Sequence, residues 1–229
     1  MAKTIVVVGF GPGISTAVAE KFGAEGFSVA LVARKQERLA AGVQTLKDRG
    51  VVAAAFPADA GNPAAIRAAI AKARAELGAI TVIHWNAFGG GEAGDLVATD
   101  PAAVREVFDV AVVGLIAAVQ EALPDLRNSN DGALLVTNGA FGETAPPMDA
   151  LAVGLKTMGV ALANAAKHKL VGLLAERLKG DGVYVGEVMV AGAIKGTPWA
   201  SGEAIEPSTV ANRFWALYQA RGEVRARVS

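Results

Sequence analysis

The chain has no cysteine, and among its 229 residues only two tyrosines, two histidines and three tryptophans. The missing cysteine excludes disulfides, thiolate nucleophiles and cysteine-bound metal. Two histidines, His84 and His168, are too few for a histidine-based metal site, so no metal is expected. There is no surplus of either charge, because 22 Lys and Arg balance 22 Asp and Glu. Nucleic acid and anionic membranes attract a basic excess, so neither partner is expected. The uncharged stretch Val110–Gln120 is too short to cross a bilayer. The apolar run Thr4–Val8 is too short for a secretion signal, and it continues straight into a glycine loop. These exclusions point to a cytoplasmic protein.

What is abundant is apolar surface and glycine: 52% of residues are hydrophobic and 27 are glycine. Residues 4–15 read Thr-Ile-Val-Val-Val-Gly-Phe-Gly-Pro-Gly-Ile-Ser. A β-branched run breaks into Gly9, Gly11 and Gly13, and a helix-forming stretch follows at Thr16. This is a buried strand feeding a tight turn into a helix N-terminus. Glycines let the backbone approach a ligand closely, and the free N–H groups of a first helical turn favour an anion. A diphosphate is the expected guest.

Strand-like and helix-like segments alternate along the rest of the chain. The strand candidates are Thr4–Val8, Ser28–Val32, Val51–Phe56, Ile80–Trp85, Ala133–Thr137, Val183–Val190 and Val224–Val228. Most are continuous apolar runs, as expected for strands covered on both faces. Helical patterns occupy Ser15–Glu25, Lys35–Arg49, Pro63–Leu77, Pro101–Leu126, a long segment ending near Leu178, and Ser208–Gln219. Asn62-Pro63 and Asp100-Pro101 carry cap chemistry, with proline at the first helical position. The alternation predicts an α/β fold: a three-layer, doubly wound (Rossmann-type) parallel sheet of about seven strands. Length and the lack of a linker predict one domain over residues 1–229. The stretch Val104–Leu126 and the first half of the segment from Met158 to Leu178 are apolar nearly all round. Such helices need a second cover, either a partner subunit or a loop of the same chain. A homodimer or homotetramer through the helices at 101–126 and about 158–178 is expected.

The spacing Gly9-xxx-Gly13-Ile14 resembles the short-chain dehydrogenase/reductase family. Further matches follow in order. Ala30-Leu31-Val32-Ala33-Arg34 closes the second strand, with Glu37-Arg38-Leu39 after it. Asp59 follows the third strand and Asn86-Ala87 closes the fourth. Gly132–Val136 opens the fifth strand and Gly182–Val185 the sixth. The resemblance implies a nicotinamide dinucleotide cofactor. Gly9, Phe10, Pro12, Gly13 and Ile14 would sit against its diphosphate and ribose, Asp59 and Ala60 against the adenine, and Asn86 and Ala87 near the nicotinamide ribose. Thr197, in the place of the family's Pro-Gly loop, would contact the nicotinamide amide. Members that prefer NAD carry an acidic residue where Ala33 and Arg34 stand here. A guanidinium suits a 2′-phosphate, so NADP is expected rather than NAD.

The same resemblance exposes departures. The family uses a tyrosine as acid/base, a lysine four residues on, a serine and an asparagine. Here the asparagine position is Ala111 and the serine position Gly139, with Asn138 beside it. No tyrosine lies between Gly139 and Gly182; the two present, Tyr184 and Tyr218, lie elsewhere. The lysine position is open. Ala163–Lys167 resembles the family turn with alanine for tyrosine. Counting forward from Gly139 reaches Ala152 and Lys156, and counting back from the sixth strand reaches Val160 and Asn164. Lys167, beside the cofactor, and Asn138 are the candidates for polarising a carbonyl. Two functions stay open: an NADP-linked oxidoreductase with a non-standard site, acting on a small carbonyl or hydroxy compound, and a dinucleotide-binding protein without turnover, a sensor or oligomer scaffold.

Overall fold

The computed structural model describes residues 3–89, 92–198, 200 and 203–229. Seven parallel strands form one sheet: β1 (Lys3–Val8), β2 (Phe27–Ala33), β3 (Ala53–Pro57), β4 (Ile80–Trp85), β5 (Ala133–Gly139), β6 (Tyr184–Val190) and β7 (Arg225–Val228). Their order is β3-β2-β1-β4-β5-β6-β7. Among the described residues eight α-helices flank it: α1 (Ile14–Ala24), α2 (Gln36–Asp48), α3 (Pro63–Leu77), α4 (Pro101–Phe108), α5 (Gly114–Asn128), α6 (Pro146–Gly154), α7 (Met158–Leu178) and α8 (Pro207–Ala220).

Successive strand residues point to opposite faces, so each apolar run feeds two cores. Along β1, Val6 and Val8 join Ile83, Leu134 and Val136 against Ile66 and Ile70 of α3, Leu115 of α5 and Val171 of α7. Ile5 and Val7 join Val29, Leu31 and Val82 against Phe22 of α1, Leu39 of α2 and Phe214 of α8. This double burial explains why the strands read as unbroken runs. Both proline-led caps are present: Asn62 accepts from the N–H of Ala65 at 3.1 Å, and Asp100 from that of Ala102 at 2.8 Å. No helix of the described residues is long and apolar enough to cross a membrane.

The expected helix over 101–126 is not continuous. A π turn at Asp109–Val113 separates α4 from α5. It brings Gly114 so close to the Ala60 carbonyl that a Cβ there would overlap the oxygen. The segment expected from about Met158 to Leu178 is α7, and a separate short helix, α6, precedes it. Between them Lys156 takes the left-handed conformation, at φ 53°.

Several buried strand residues are polar, and His84 is one of them. His84 is fully buried, with Nε2 3.0 Å from Thr137 Oγ1 and its ring edge-on to Phe214 at 4.9 Å between centroids. Burial lowers its pKa from 6.5 to about 3. The unfolded chain therefore binds one more proton between those values, and stability drains as pH falls through the window. Urea unfolding at a series of pH values should show about 1.4 kcal/mol lost per pH unit below 6.5 from this group. His84→Gln, which does not titrate, should flatten that part of the slope. Gly114→Ala should destabilise by about 3 kcal/mol in thermal unfolding, because backbone stands in the way of its methyl. Gly154→Ala, open on every side, is the neutral control.

Candidate functional site

The strand order reverses at β1, whose neighbours are β2 and β4. Crossovers leave on opposite sides there, and a crevice opens at the carboxyl ends of these strands. The crevice measures about 870 Å³. Val8, Gly9 and Phe10 line it from β1, Ala33 to Lys35 and Arg38 from the end of β2, and Ala58 to Asn62 from the turn after β3. Asn86 to Gly89 line it from the end of β4, and Glu106, Asp109 and Val110 from α4 and the π turn.

The glycine loop forms its floor by close backbone approach. Gly9, at φ 83°, lies so near the backbone of Ala87 that no Cβ fits. Its N–H and that of Phe10 both donate to Val32 O, at 2.9 and 3.0 Å. The Asn86 N–H donates to Val8 O at 2.9 Å, locking β1 to the end of β4. The Phe10 ring packs against Gly42 of α2. The Ser15 hydroxyl holds the turn through the N–H and C=O of Gly11, both at 2.9 Å. Helix α1 starts after Gly13 with no side-chain cap and no acidic residue in its first turn. Its leading N–H groups thus remain available to an anion. Exposed Pro12 stands at the rim of this turn. Gly13, at φ 93°, faces the side chains of Ile194 and Thr197, and Ile14 is half-buried behind it. Thr197 is fixed by donating its hydroxyl proton to Ile194 O at 2.7 Å.

Asp59 accepts from the N–H of Gly61 at 3.0 Å, which shapes the turn beside Ala60. Arg34, Lys35 and Arg38 are exposed, and among the described residues none of them forms an ion pair. Arg38 lies over the glycine loop, with Nη1 3.3 Å from where a Cβ of Gly11 would stand. Lys35 was not singled out from the sequence, and Arg38, quoted there with Glu37 and Leu39, was given no role; it stands in the first turn of α2.

The two proposed catalytic groups lie elsewhere. Asn138 is 2% and Lys167 3% exposed, and neither lines the crevice. Lys167 Nζ donates to Thr137 O at 3.1 Å, and burial lowers its pKa to about 8 against the raising influence of Glu187. Asn138 Nδ2 donates to Asn164 O at 2.9 Å and to Glu187 Oε1 at 2.6 Å, while its Oδ1 accepts from Gly139 N at 3.0 Å. Glu187, fully buried on β6, also meets His168 Nδ1 at 2.8 Å and Arg225 Nε at 3.3 Å. The half-buried His168 is thus tied through Glu187 to Asn138. Lys156 stays in the exposed turn before α7, apart from all of these.

Ala111 is buried in the π turn and Gly139 ends β5. Both tyrosines sit at the amino-terminal edge of the sheet, opposite the crevice. Tyr184 opens β6 and donates to Glu223 O at 2.6 Å, and burial raises its pKa to about 12. Tyr218 packs with Phe22, Phe27 and Trp215. Trp85 is fully enclosed in the core, while Phe88 stands 60% exposed at the crevice. Among the described residues there is no group of three or more His, Asp or Glu able to hold a metal ion.

This arrangement has parallels. Over 171 residues the chain is 26% identical to the 3-oxoacyl-(acyl-carrier-protein) reductase FabG of Staphylococcus aureus, covering 74% of this chain and 69% of that protein. It is 32% identical over 189 residues to 2-(S)-hydroxypropyl-CoM dehydrogenase 3 of Xanthobacter autotrophicus, covering 81% and 69%. A short chain dehydrogenase from Burkholderia cenocepacia, solved with NADP, shares the fold at a TM-score of 0.85 and 23% identity, over 99% of this chain and 96% of that one. L-sorbose reductase of Gluconobacter frateurii, solved with NADPH and L-sorbose, does so at 0.84 and 20% identity, over 100% and 95%. The sequence profile of the short chain dehydrogenases matches residues 3–200, and the chain belongs to that family.

Proposed function

We propose that residues 1–229 act as one NADP(H)-binding unit, an oxidoreductase of small carbonyl or hydroxy compounds with a non-standard active site. The observation that carries this is the set of three unpaired cations, Arg34, Lys35 and Arg38, in the crevice that Gly9, Asp59, Ala60, Asn86 and Ala87 also line. A phosphate on the adenosine ribose would meet three positive side chains there. A diphosphate would lie against the glycine loop and the start of α1. The crevice suits such a group, because glycine at position 9 lets the loop pack directly on the Ala87 backbone and leaves the start of α1 uncapped beside it. When bound, the nicotinamide supplies hydride chemistry. The chain's own part is to hold and orient it: Asn86 and Ala87 from β4, and Thr197 from the loop opposite Gly13. The structures solved with NADP and NADPH support the choice of cofactor.

Binding without turnover is the second reading. It is favoured by the absence of a tyrosine near the crevice and by the burial of Asn138 and Lys167. Following NADPH absorbance against a panel of ketones, aldehydes and enones separates the two.

A homodimer or homotetramer in the cytoplasm completes the proposal. Val113 beside α5, and Leu162 and Leu173 on α7, are 42, 39 and 57% exposed and offer apolar cover to a second copy. Leu173→Lys should lower the mass measured by light scattering toward that of one chain. An unchanged oligomer would exclude α7 from the contact.

By calorimetric titration NADPH should bind more tightly than NADH. Arg34→Ala should weaken NADPH by about tenfold or more, and NADH by no more than about twofold. Equal affinity of the native protein for the two would overturn the assignment of NADP.

A further inference from the structure

The end of β5 holds a polar side chain without a partner. Asn164 of α7 is 5% exposed. Its backbone oxygen is taken by Asn138 Nδ2, but among the described residues its carboxamide makes no hydrogen bond. Yet it is not sealed in. Among the described residues the buried side-chain polar atoms without any partner are His84 Nδ1, Trp85 Nε1 and Tyr218 OH, and neither end of the Asn164 amide is among them. The amide therefore borders accessible space. Its direction follows from Gly139. A Cβ built on Gly139 would lie 2.6 Å from Asn164 Nδ2, 3.5 Å from Cγ and 3.9 Å from Oδ1. The carboxamide thus points its nitrogen into the room that a side chain at position 139 would use. Gly139 pairs with Val190 at the carboxyl ends of β5 and β6, the edge of the sheet on which the crevice opens.

This placement is held from both sides. Asn138 Oδ1 fixes Gly139 N, and its Nδ2 fixes Asn164 O. Glu187 Oε1 takes the other Nδ2 proton. A nearly buried N–H pair with no acceptor is costly unless an acceptor arrives from outside. A serine at residue 139 could not coexist with Asn164 in this position.

We propose that Asn164 holds the oxygen of a carbonyl ligand through Nδ2, taking over the place of the hydroxyl that position 139 lacks. Asn138 and Glu187 are its positioning residues. The inference rests on the reading of the crevice as a site for NADP(H). Its N–H protons do not ionise at neutral pH, so the group holds the oxygen and gives it no proton.

The probe is isobutyramide, an unreactive carbonyl compound, added to the protein with NADPH. Side-chain amide resonances of the ¹⁵N-labelled protein report directly on Asn164. The Asn164 NH₂ pair should shift when isobutyramide is added to the NADPH complex. Asn164→Ala should weaken the probe by about tenfold while leaving NADPH affinity within about twofold. Asn138→Ala should move the Asn164 resonances before any ligand is added and weaken the probe as well. A pair that shifts on NADPH alone and no further with the probe would show that Asn164 serves the cofactor, and would overturn the inference. So would a pair unmoved by the probe up to its solubility, or an Asn164→Ala protein that binds the probe normally. Failure of the native protein to bind NADPH is a separate result, and it removes the underlying reading instead.

Discussion

The crevice depends on backbone touching backbone. Gly9 lies against Ala87, and Gly114 presses on the Ala60 carbonyl, each so close that a methyl group would collide. The first contact ties the loop after β1 to the end of β4. The second ties the helix after the π turn to the turn after β3. Both occur where the strand order reverses, so the walls of the crevice are set by main chain rather than by adaptable side chains. Only then can the start of α1 face a ligand at fixed distance. The π turn belongs to this arrangement, because it places Gly114 rather than a larger neighbour against Ala60.

Behind the crevice the chain has exchanged one kind of polar chemistry for another. Ala111, Gly139 and the missing tyrosine leave little there that can titrate. The ionisable groups are drawn instead beneath α7, around Glu187. A carboxylate with no exposure needs compensation, and it receives a hydrogen bond from Asn138 and contacts from His168 and Arg225, with Lys167 nearby. Such a network is strongly destabilised by loss of one partner, because the remaining charge is stranded. Lys167 itself illustrates the tension: burial outweighs the carboxylate and pulls its pKa below the ordinary lysine value. The network joins β5, β6, β7 and α7, and so keeps the Asn164 amide at the end of β5.

Much of this was legible in the sequence, for identifiable reasons. Strands buried on both faces read as apolar runs, and every strand appeared within two residues of its place. Arg34 was legible because the end of β2 is a fixed point of such folds. The interruptions were not legible. A π turn leaves the residues of the segment as apolar as a helix, and the Ala60 carbonyl that Gly114 meets beside it is distant in sequence. The break at Lys156 carries neither glycine nor proline. Three registers for the lysine position competed because α6 lengthens the path from Gly139 to α7, and local periodicity does not measure that path. The gap-free count from the sixth strand reached Asn164, the residue whose amide meets Gly139. Glu187 went unremarked because its partners His168 and Arg225 lie 19 and 38 residues away, beyond any local pattern.

The charges of the crevice argue for a discriminating site rather than a general anion trap. Arg34, Lys35 and Arg38 are matched in the same cavity by Asp59, Glu92, Glu106 and Asp109. A polyanion laid along the whole crevice would meet more carboxylates than cations. A ligand whose phosphates are confined to the glycine loop and to the end of β2 meets the cations and the helix N-terminus. At the screening length of physiological salt, about 8 Å, these clusters act separately on the parts of a bound dinucleotide. The carboxylates therefore sharpen the cationic end. On the proposed reading they would disfavour phosphate away from the glycine loop and from Arg34 and Arg38.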